Sequence, residues 1–332
     1  PQGPQSDQRP IPHGEGSLAA PLHLPLDYVA ALPDGPITLT ADTQRHKLRV
    51  AAGKNSSRLA GLAASEFPTL PLWNGDASDL EVPADELCDA LRQVSCAAAR
   101  DDSRPTLKGV CLRVAGGEMV LAATDGYRLS VRKVALDTAA SWGVIIPIDS
   151  VGAVTAVLSA AVAAGDDEEV TVALAMTAQE NQVIFHTPPS GDVLSQRIAG
   201  NFPDYEMIIP KTHTTRFVVD REALARSIKL AGLFSDRVTI SVQREGEDGA
   251  AEVKVTAASP FEGDTANTLP AILVGEPIEF DLNTSYAAAT LSVFPVGEVA
   301  IELTQPTKPI VFKPVDLDGL VHVIMPMADK EP

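Results

Sequence analysis

The sequence predicts an α+β fold, in which helices pack on one face of antiparallel sheets and the pattern repeats in three domains. Three observations lead to this prediction. A helical stretch, an acidic or glycine-rich turn and an alternating strand follow one another at three places in the chain. A strand end that runs into an amphipathic helix occurs twice. Further alternating stretches, typical of half-buried strands, lie at residues 109–114, 119–124, 237–242 and 253–257.

The first of these patterns marks a unit about one domain long. Its helices are predicted at residues 26–32, 151–164 and 283–294, and its strands at residues 37–40, 170–174 and 299–303. Asp149 and Ser150, before the second helix, and Asn283, at the start of the third, are residue types that cap helices well. The strands begin roughly 130 residues apart, about one domain length. This spacing predicts three domains.

The second pattern places a further helix in two of the domains. Residues 82–91 and 219–228 share the same spacing, and both put apolar residues on one helix face, as Leu87 and Leu91 do in the first. Each complete domain therefore holds two helices, each followed by strands, and the chain before residue 82 has room for only one such half. We expect a disordered tail at residues 1–23, the second half of a first domain at 24–78, a middle domain at 79–211 and a C-terminal domain at 212–332.

Charge and cysteine content limit the class of protein. The 332 residues carry a formal net charge of −18, which argues against a protein that coats nucleic acid by bulk attraction. Cys88, Cys96 and Cys111 form no CxxC pair and no even disulfide set, so we expect reduced, buried thiols in a cytoplasmic protein. The first 25 residues contain no apolar run long enough for a signal peptide or a membrane span. A soluble protein without a membrane partner is expected.

The sequence gives no support for catalysis. Its six histidines follow no metal-binding spacing such as HxxxH, and they are His13, His23, His46, His186, His213 and His322. Neither a GxSxG motif nor a glycine-rich phosphate loop is present. We therefore expect no catalytic residues, no metal ligands and no cofactor.

Four motifs in a fixed order point to a known family. They are RPTLKGV at residues 104–110 with ATDGYRL at 123–129, GNFPDYEMIIP at 200–210, SEFP at 65–68 and VIMPM at 323–327. They resemble the β sliding clamp of the bacterial replicative DNA polymerase. RPTLKGV and ATDGYRL together resemble the middle-domain signature of that family, and GNFPDYEMIIP resembles its link from the middle to the last domain. SEFP resembles the end of its first domain, and VIMPM resembles its C-terminal end. The resemblance covers roughly residues 24–328, and the chain is identified as an N-terminally shortened member or paralogue of that family.

The resemblance implies paired βαβββ halves, with helices that line a ring and sheets that lie outside it. Family members close head to tail as dimers and encircle duplex DNA without reading its sequence. They also bind short peptide motifs of DNA polymerases and repair proteins. The expected partners are therefore such peptides, duplex DNA, and either a second copy of this chain in a homodimer or a full-length clamp. Such a ring is a scaffold, so the resemblance also implies that no residue is catalytic.

The family's peptide pocket lies between the middle and last domains, and the resemblance places it at a mostly apolar set of residues. They are Leu107, Thr124, Gly126, Tyr127, Arg128, Leu129, Pro203, Met207, Ile208, Asn283, Tyr286, Val323, Ile324, Met325, Pro326 and Met327. An apolar groove with adaptable methionine walls suits an extended peptide whose Leu or Phe side chains dock in it. Arg128, Asn283 and Tyr286 are expected to hydrogen-bond the peptide backbone or a Gln side chain. Met207 replaces the basic residue that family members often have, so ligand preference is expected to differ.

The family attracts the phosphates of DNA through basic side chains on the helices of its channel. The candidates in this chain are Arg92, Arg100, Arg104, Lys108, Arg197, Arg221, Arg226 and Lys229. Arg92 and Arg100 are assigned to one helix at residues 82–100. The helical segments at 26–32, 150–165 and 283–294 contain no Lys or Arg. Weak attraction for DNA is expected.

Two functions remain open. The first is a clamp paralogue that binds DNA-metabolism proteins and encircles DNA; the second is a regulatory paralogue that keeps the peptide pocket without closing a ring. Leu59 and Leu62 in the first domain and Ile272 and Leu273 in the last are the expected contacts between subunits. A half-length first domain would leave a strand edge uncovered there, which favours the second function. Retention on DNA as a function of salt would separate the two.

Overall fold

The computed structural model describes residues 16–21, 23–71, 73, 75, 80–165, 170–177, 179–188, 191–245 and 250–328. The chain divides into two compact units, Pro1–Leu72 and Trp73–Pro332. Most of the predicted N-terminal tail lies outside the described residues. Within that tail, Leu18–Ala19 forms a short strand.

Within its described residues, the first unit contains two small antiparallel sheets and one α-helix. Its elements are β1 (Leu18–Ala19), α1 (His23–Ala30), β2 (Ile37–Asp42), β3 (Lys47–Ala52), β4 (Asn55–Ala60) and β5 (Leu62–Ala63), followed by a 3-10 turn at Ala64–Glu66. Strands β2, β3 and β4 pair in that order, and β1 pairs with β5. Val50 and Ala52 lie two residues apart on β3 and are buried on the same face, together with Leu59 of β4.

The second unit repeats one pattern, strand–helix–three strands, four times. The first two repeats are β6 (Leu80–Pro83), α2 (Ala84–Ser95), β7 (Gly109–Ala115), β8 (Glu118–Thr124), β9 (Arg128–Ala135); and β10 (Trp142–Pro147), α3 (Ile148–Ala164), β11 (Thr171–Met176), β12 (Gln182–Thr187), β13 (Gly191–Gln196). A 3-10 turn at Pro105–Leu107 precedes β7. The last two are β14 (Thr215–Asp220), α4 (Arg221–Ala231), β15 (Arg237–Glu245), β16 (Ala250–Ser259), β17 (Gly263–Val274); and β18 (Ile278–Asn283), α5 (Thr284–Val293), β19 (Glu298–Leu303), β20 (Ile310–Pro314), β21 (Leu320–Ile324). The predicted α+β class with βαβββ halves is confirmed.

One continuous sheet runs through most of the second unit. Its twelve strands pair in the order β10-β7-β8-β9-β21-β20-β19-β14-β17-β16-β15-β18, and a separate four-stranded sheet has the order β13-β12-β11-β6. Strands β9 and β21 belong to the first and last repeats, and they pair antiparallel from Leu320↔Arg132 to Ile324↔Arg128. This pairing joins the two halves of the unit through backbone hydrogen bonds.

Two hydrophobic cores lie between the sheets and the helices. Helices α2 and α3 cover the core that contains Leu87, Leu91 and Leu112, whereas α4 and α5 cover a second core that contains Ile228 and Leu291. Leu87 and Leu91 are four residues apart on α2 and therefore share one helix face. None of the helices within the described ranges is long and apolar enough to cross a bilayer.

The limits of several helices differ from the prediction, among them those of α2 and α1. Helix α2 ends at Ser95, so Arg100 lies beyond it instead of on it. Helix α1 begins earlier than predicted, at His23, because Pro25 falls in its first turn, where a missing N–H costs no helical hydrogen bond.

The predicted helix caps were correct at one position and wrong at another. Asn283 caps α5, since its side-chain oxygen accepts hydrogen bonds from the backbone N–H groups of Ser285 and Tyr286. Helix α3 begins directly after Pro147, without a side-chain cap, so Asp149 lies in its first turn. A carboxylate there still favours the helix through the macrodipole.

All three cysteines are free. Cys88 and Cys111 are buried, as predicted, whereas Cys96 is only partly buried. Burial raises the pKa of the Cys96 and Cys111 thiols, so both are protonated at neutral pH.

Candidate functional site

The predicted site residues gather where β9 meets β21. Residues 124–129 and 323–327 form what we call the β9–β21 seam. In it Leu129 lies opposite Val323 and Arg128 opposite Ile324, and just beyond the paired residues the Met325 N–H donates to the Tyr127 carbonyl at 2.8 Å. Two segments far apart in sequence thus form one surface of the second unit.

The turn before β9 is fixed by its own side chains. Gly126 has a φ of 92°, which a residue with a Cβ rarely adopts. The Asp125 carboxylate accepts hydrogen bonds from the Tyr127 and Arg128 N–H groups at 2.9 and 3.0 Å. The Thr124 hydroxyl donates to the Arg128 carbonyl at 2.6 Å and accepts from the Gly126 N–H at 3.1 Å. The motif therefore specifies a rigid turn.

Arg128 is held on two sides. Its Nε donates to Asp125 Oδ2 at 2.9 Å, and its guanidinium carbon lies 4.3 Å from the centre of the Tyr286 ring. The side chains of Arg128 and Asp125 are only 11% and 13% exposed, so water screens this pair weakly. Burial and the nearby Asp125 raise the pKa of Tyr286, although Arg128 opposes the rise, so the phenol is neutral at physiological pH.

Asn283 has a structural role that limits its predicted contact with a ligand. Its side-chain oxygen already accepts three hydrogen bonds, from the backbone of Ser285 and Tyr286 and from the Ser285 hydroxyl. Because this cap positions the first turn of α5, Asn283 also fixes the place of Tyr286.

The chain after β21 is tied to the C-terminal repeats. The Met327 N–H donates to the Asp281 carbonyl at 2.9 Å. Arg237 bridges the Asp281 carboxylate at 2.5 Å and the Ala328 carbonyl at 2.6 Å. Met325 is 37% exposed between these anchors, which leaves its side chain accessible at the seam.

An apolar cluster supports the seam on the sheet face that points away from the helices. Leu129 and Val323 pack there with Val311 and Tyr205, and Phe202 lies against them. Burial raises the pKa of Tyr205 to about 12. Sequence reasoning missed Val311, Tyr205 and Phe202 as site residues; the last two lie in the quoted motif at 200–210, and that was the available signal.

The predicted site residues differ in how accessible they are. Met207 is 84% exposed, Tyr127 63% and Ile208 43%, and Pro203 is also exposed. Leu107, Thr124, Leu129 and Val323 are buried beneath the surface, and Pro326 and Met327 are partly buried.

Ile324 differs from its neighbours in the direction of its side chain. Its side chain is fully buried in the core under α4 and α5. Strand alternation explains this: Val323 faces the outer cluster, so its neighbour Ile324 faces the helices.

On the helix side of the seam, a buried histidine links the two halves. Nδ1 of His322, on β21, lies 3.0 Å from the Ser130 hydroxyl and 3.2 Å from that of Thr290. The ring contacts Phe294 edge to face at 4.8 Å. Burial lowers the pKa of His322 to about 3, so the ring is neutral at physiological pH.

Several basic residues predicted to bind DNA are engaged with other groups. Lys108 pairs with Asp102 at 2.5 Å, and Arg221 and Arg226 both pair with Glu222, at 3.4 and 3.7 Å. These contacts reduce the positive charge that the helices present.

Two predicted DNA-binding residues near the seam and α2 have local partners. Arg92 donates to the Ser159 hydroxyl at 2.6 Å, which links α2 to α3. Arg104 donates to the Asp125 carbonyl at 2.8 Å and so braces the turn of the seam. Arg100 and Lys229 are exposed.

Arg197 lies beside the sheet face that points away from the helices. Arg197 lines a cavity together with Cys111 and Arg113 of β7. Leu112, between them, points into the helix-side core, so alternation places Cys111 and Arg113 on the opposite face of the sheet.

The four residues predicted to join subunits divide into inward-facing and outward-facing pairs. Leu59 is buried in the first unit, and Leu273 packs against the core under α4 and α5. Leu62 and Ile272 are 58% and 64% exposed. Leu62 and Ile272 are thus the exposed members of the set, and alternation along β17 turns Leu273 inward.

Comparisons with known proteins agree with this architecture. Residues 81–204 match the family model of the DNA polymerase III beta subunit, central domain, and residues 206–328 match that of its C-terminal domain. The chain is 28% identical to the beta sliding clamp of Synechococcus elongatus, over 94% of this chain and 81% of the relative, and 26% identical to that of Bacillus subtilis, over 94% and 80%.

Solved structures show the same fold. The DNA polymerase sliding clamp from Bacillus subtilis superposes with a TM-score of 0.82 at 24% identity, over 98% of this chain and 84% of that one. The DNA polymerase III beta subunit from Thermotoga maritima gives a TM-score of 0.80 at 22% identity, over 96% and 83%.

Proposed function

Because the chain belongs to the bacterial DNA polymerase III β sliding clamp family, we propose that it is a non-catalytic scaffold. In this proposal, the scaffold binds short peptides of DNA polymerases and repair proteins at the β9–β21 seam. The two family domains together match more than half of the chain and contain both strands of the seam. The relatives named above are sliding clamps, processivity factors of DNA polymerase. We place this activity in the cytoplasm, with no cofactor.

The observation that supports peptide binding is a set of exposed apolar side chains around a fixed polar centre. Tyr127, Met207 and Met325 offer flexible or flat apolar surface, whereas Arg128 and Tyr286 are held in place. Preorganised polar groups orient a peptide at little entropic cost, and docking of Leu or Phe side chains provides affinity.

The direct test is Met325→Asp, measured by fluorescence anisotropy with a labelled peptide that contains Gln, Leu and Phe. A carboxylate among apolar side chains is unfavourable, so we expect affinity to fall at least about 30-fold. Phe261→Asp is the matched control, because Phe261 is 95% exposed at the tip of the β16–β17 hairpin. If Met325→Asp binds the peptide like the parent chain, the seam is not the binding site.

We further propose that the chain encircles duplex DNA as part of a ring. The closed ring, more than electrostatic attraction, would then keep the protein on the DNA. The helices of the second unit support a small role for attraction, because α3 and α5 contain no Lys or Arg and two arginines of α4 pair with Glu222. The alternative is a regulatory protein that binds the same peptides without a closed ring. That alternative is favoured by the same scarcity of free positive charge.

A further inference from the structure

A cavity of about 560 Å³ lies beside the seam, on the sheet face that points away from the helices. Its walls include Cys111 and Arg113 of β7, Ile145 of β10 and the segment from Arg197 to Phe202. The Ile198 N–H donates to the Ile145 carbonyl at 2.8 Å, which fixes that segment against the strand. The cavity thus has a floor of paired strands and one wall held to them by a backbone hydrogen bond.

Two guanidinium groups line this cavity. Arg113 and Arg197 are both exposed, and neither takes part in an ion pair within the described ranges. The chain has 44 acidic and 26 basic residues, so two arginines without acidic partners on one cavity are a local concentration of positive charge. Asn201 adds a further polar group to the wall.

Side-chain contacts connect the cavity wall to the apolar cluster beneath the seam. Phe202 lies in the cavity wall and meets the Tyr205 ring edge to face at 6.1 Å. Tyr205 packs in turn with Leu129 and Val323 in the outer cluster. The cavity and the seam therefore share one sheet face, along which a residue flanking a bound peptide would extend towards the cavity.

We propose that this cavity is an anionic subsite, which takes the carboxylate of an acidic residue flanking the apolar anchors of the bound peptide. The proposal rests on the proposed peptide binding at the seam. The forked guanidinium of arginine matches a carboxylate with two parallel hydrogen bonds, and two such groups on one cavity select for negative charge. The subsite would make an acidic flank a determinant of specificity.

The test uses the full chain and a fluorescein-labelled octapeptide with one Gln, one Leu and one Phe in a neutral background. Matched peptides carry Asp or Asn at each flanking position. We expect one Asp peptide to bind about tenfold more tightly than its Asn partner. Arg113→Gln and Arg197→Gln should each remove most of that preference and leave the affinity for the neutral peptide unchanged.

Arg58→Gln is the matched control, since it removes the same charge from an exposed arginine of the first unit. It should keep the preference for Asp. Binding of the neutral peptide without a preference for Asp at any position would overturn the subsite and leave the proposed function intact. Failure to bind the neutral peptide would instead contradict the proposed function.

A second measurement tests the cavity independently of any peptide. Cys111 lines the cavity; burial raises the pKa of its thiol, and the charge of Arg113 opposes that rise. A bound carboxylate would cover the thiol and offset that charge, so glutarate should slow alkylation of Cys111 by iodoacetamide about threefold relative to sodium chloride of equal ionic strength. Mass spectrometry would follow the rate, with the partly buried Cys96 as the internal reference. The effect should vanish in Arg113→Gln, and a rate that glutarate does not change would overturn anion binding.

Discussion

Arg128 shows how one side chain can serve both the fold and the site. Its ion pair with Asp125 holds the turn, and its contact with the Tyr286 ring connects the first repeat to α5. Lysine could supply the charge, but it has neither the planar group that stacks on the ring nor the Nε donor.

Two substitutions of Asp125 separate the effect of its ion pair from the effect of its hydrogen bonds to the turn. Asn at this position still accepts the Tyr127 and Arg128 N–H groups but loses the ion pair, whereas Ala loses both. We expect Asp125→Asn to cost about 1 kcal/mol of unfolding free energy and Asp125→Ala about 2 to 3. Urea unfolding would measure the difference. Equal losses in the two variants would show that the turn does not depend on the side-chain hydrogen bonds.

His322 makes stability depend on pH. Burial lowers its pKa to about 3, below the unfolded value of about 6.5, so its contribution is complete above pH 6.5 and is lost as the pH falls towards 3. At pH 5 this loss amounts to about 2 kcal/mol. His322→Gln cannot titrate, so its unfolding free energy should fall less between pH 6.5 and 5. Parallel pH profiles for the two proteins would contradict this.

At the scale of single elements, helix caps offer a clean comparison. The Asp220 carboxylate accepts the Ala223 N–H at 2.7 Å at the start of α4, whereas α3 starts at Pro147 without a side-chain cap. Asp220→Ala should therefore cost about 1 kcal/mol. Asp149→Ala, in the first turn of α3, should cost only about 0.5 kcal/mol, because it loses a dipole interaction alone. Thermal unfolding would compare them, and a larger loss for Asp149→Ala would refute this account.

Sequence patterns predicted some elements better than others. Helices α2 and α4 were found from apolar residues at helical spacing, because their exposed faces are charged and the contrast is strong. The ends of α1 and α2 were misplaced, since proline is tolerated in a first turn and the residues after Ser95 remain apolar. The sequence did not show how deep each site residue lies, because depth depends on strand register. Ile324, for example, points into the core under α4 and α5.

At the scale of the whole molecule, the distribution of charge shapes the expected behaviour on DNA. Helices α3 and α5 carry no basic residues and two arginines of α4 pair with Glu222, so few cations are left to displace counterions. The logarithm of the affinity for linear duplex should therefore fall only shallowly with the logarithm of the salt concentration, with a slope of about −2 to −3. A closed ring should nevertheless stay on circular DNA and leave it after linearisation. Gel filtration of the chain with each form of DNA, together with light scattering, would show this. Loss from circles at low salt would contradict encirclement and favour the regulatory alternative.

The order of strands in the large sheet lay beyond the reach of sequence patterns. Local alternation identifies a strand, yet the pairing of β9 with β21 joins residues near 130 to residues near 322, and only the folded chain sets that register. The family resemblance placed both segments in one peptide pocket, and the structure shows which of their residues pair.

The continuous sheet also has a mechanical consequence. The ladder between β9 and β21 runs through five consecutive residue pairs. A load applied along these strands would stretch all the hydrogen bonds of the ladder together, whereas a load across them would open the bonds one after another. The second unit should therefore resist a force along the strands of the seam better than a force across them. A pulling force on a bound peptide along the strand direction would then be distributed over the whole sheet.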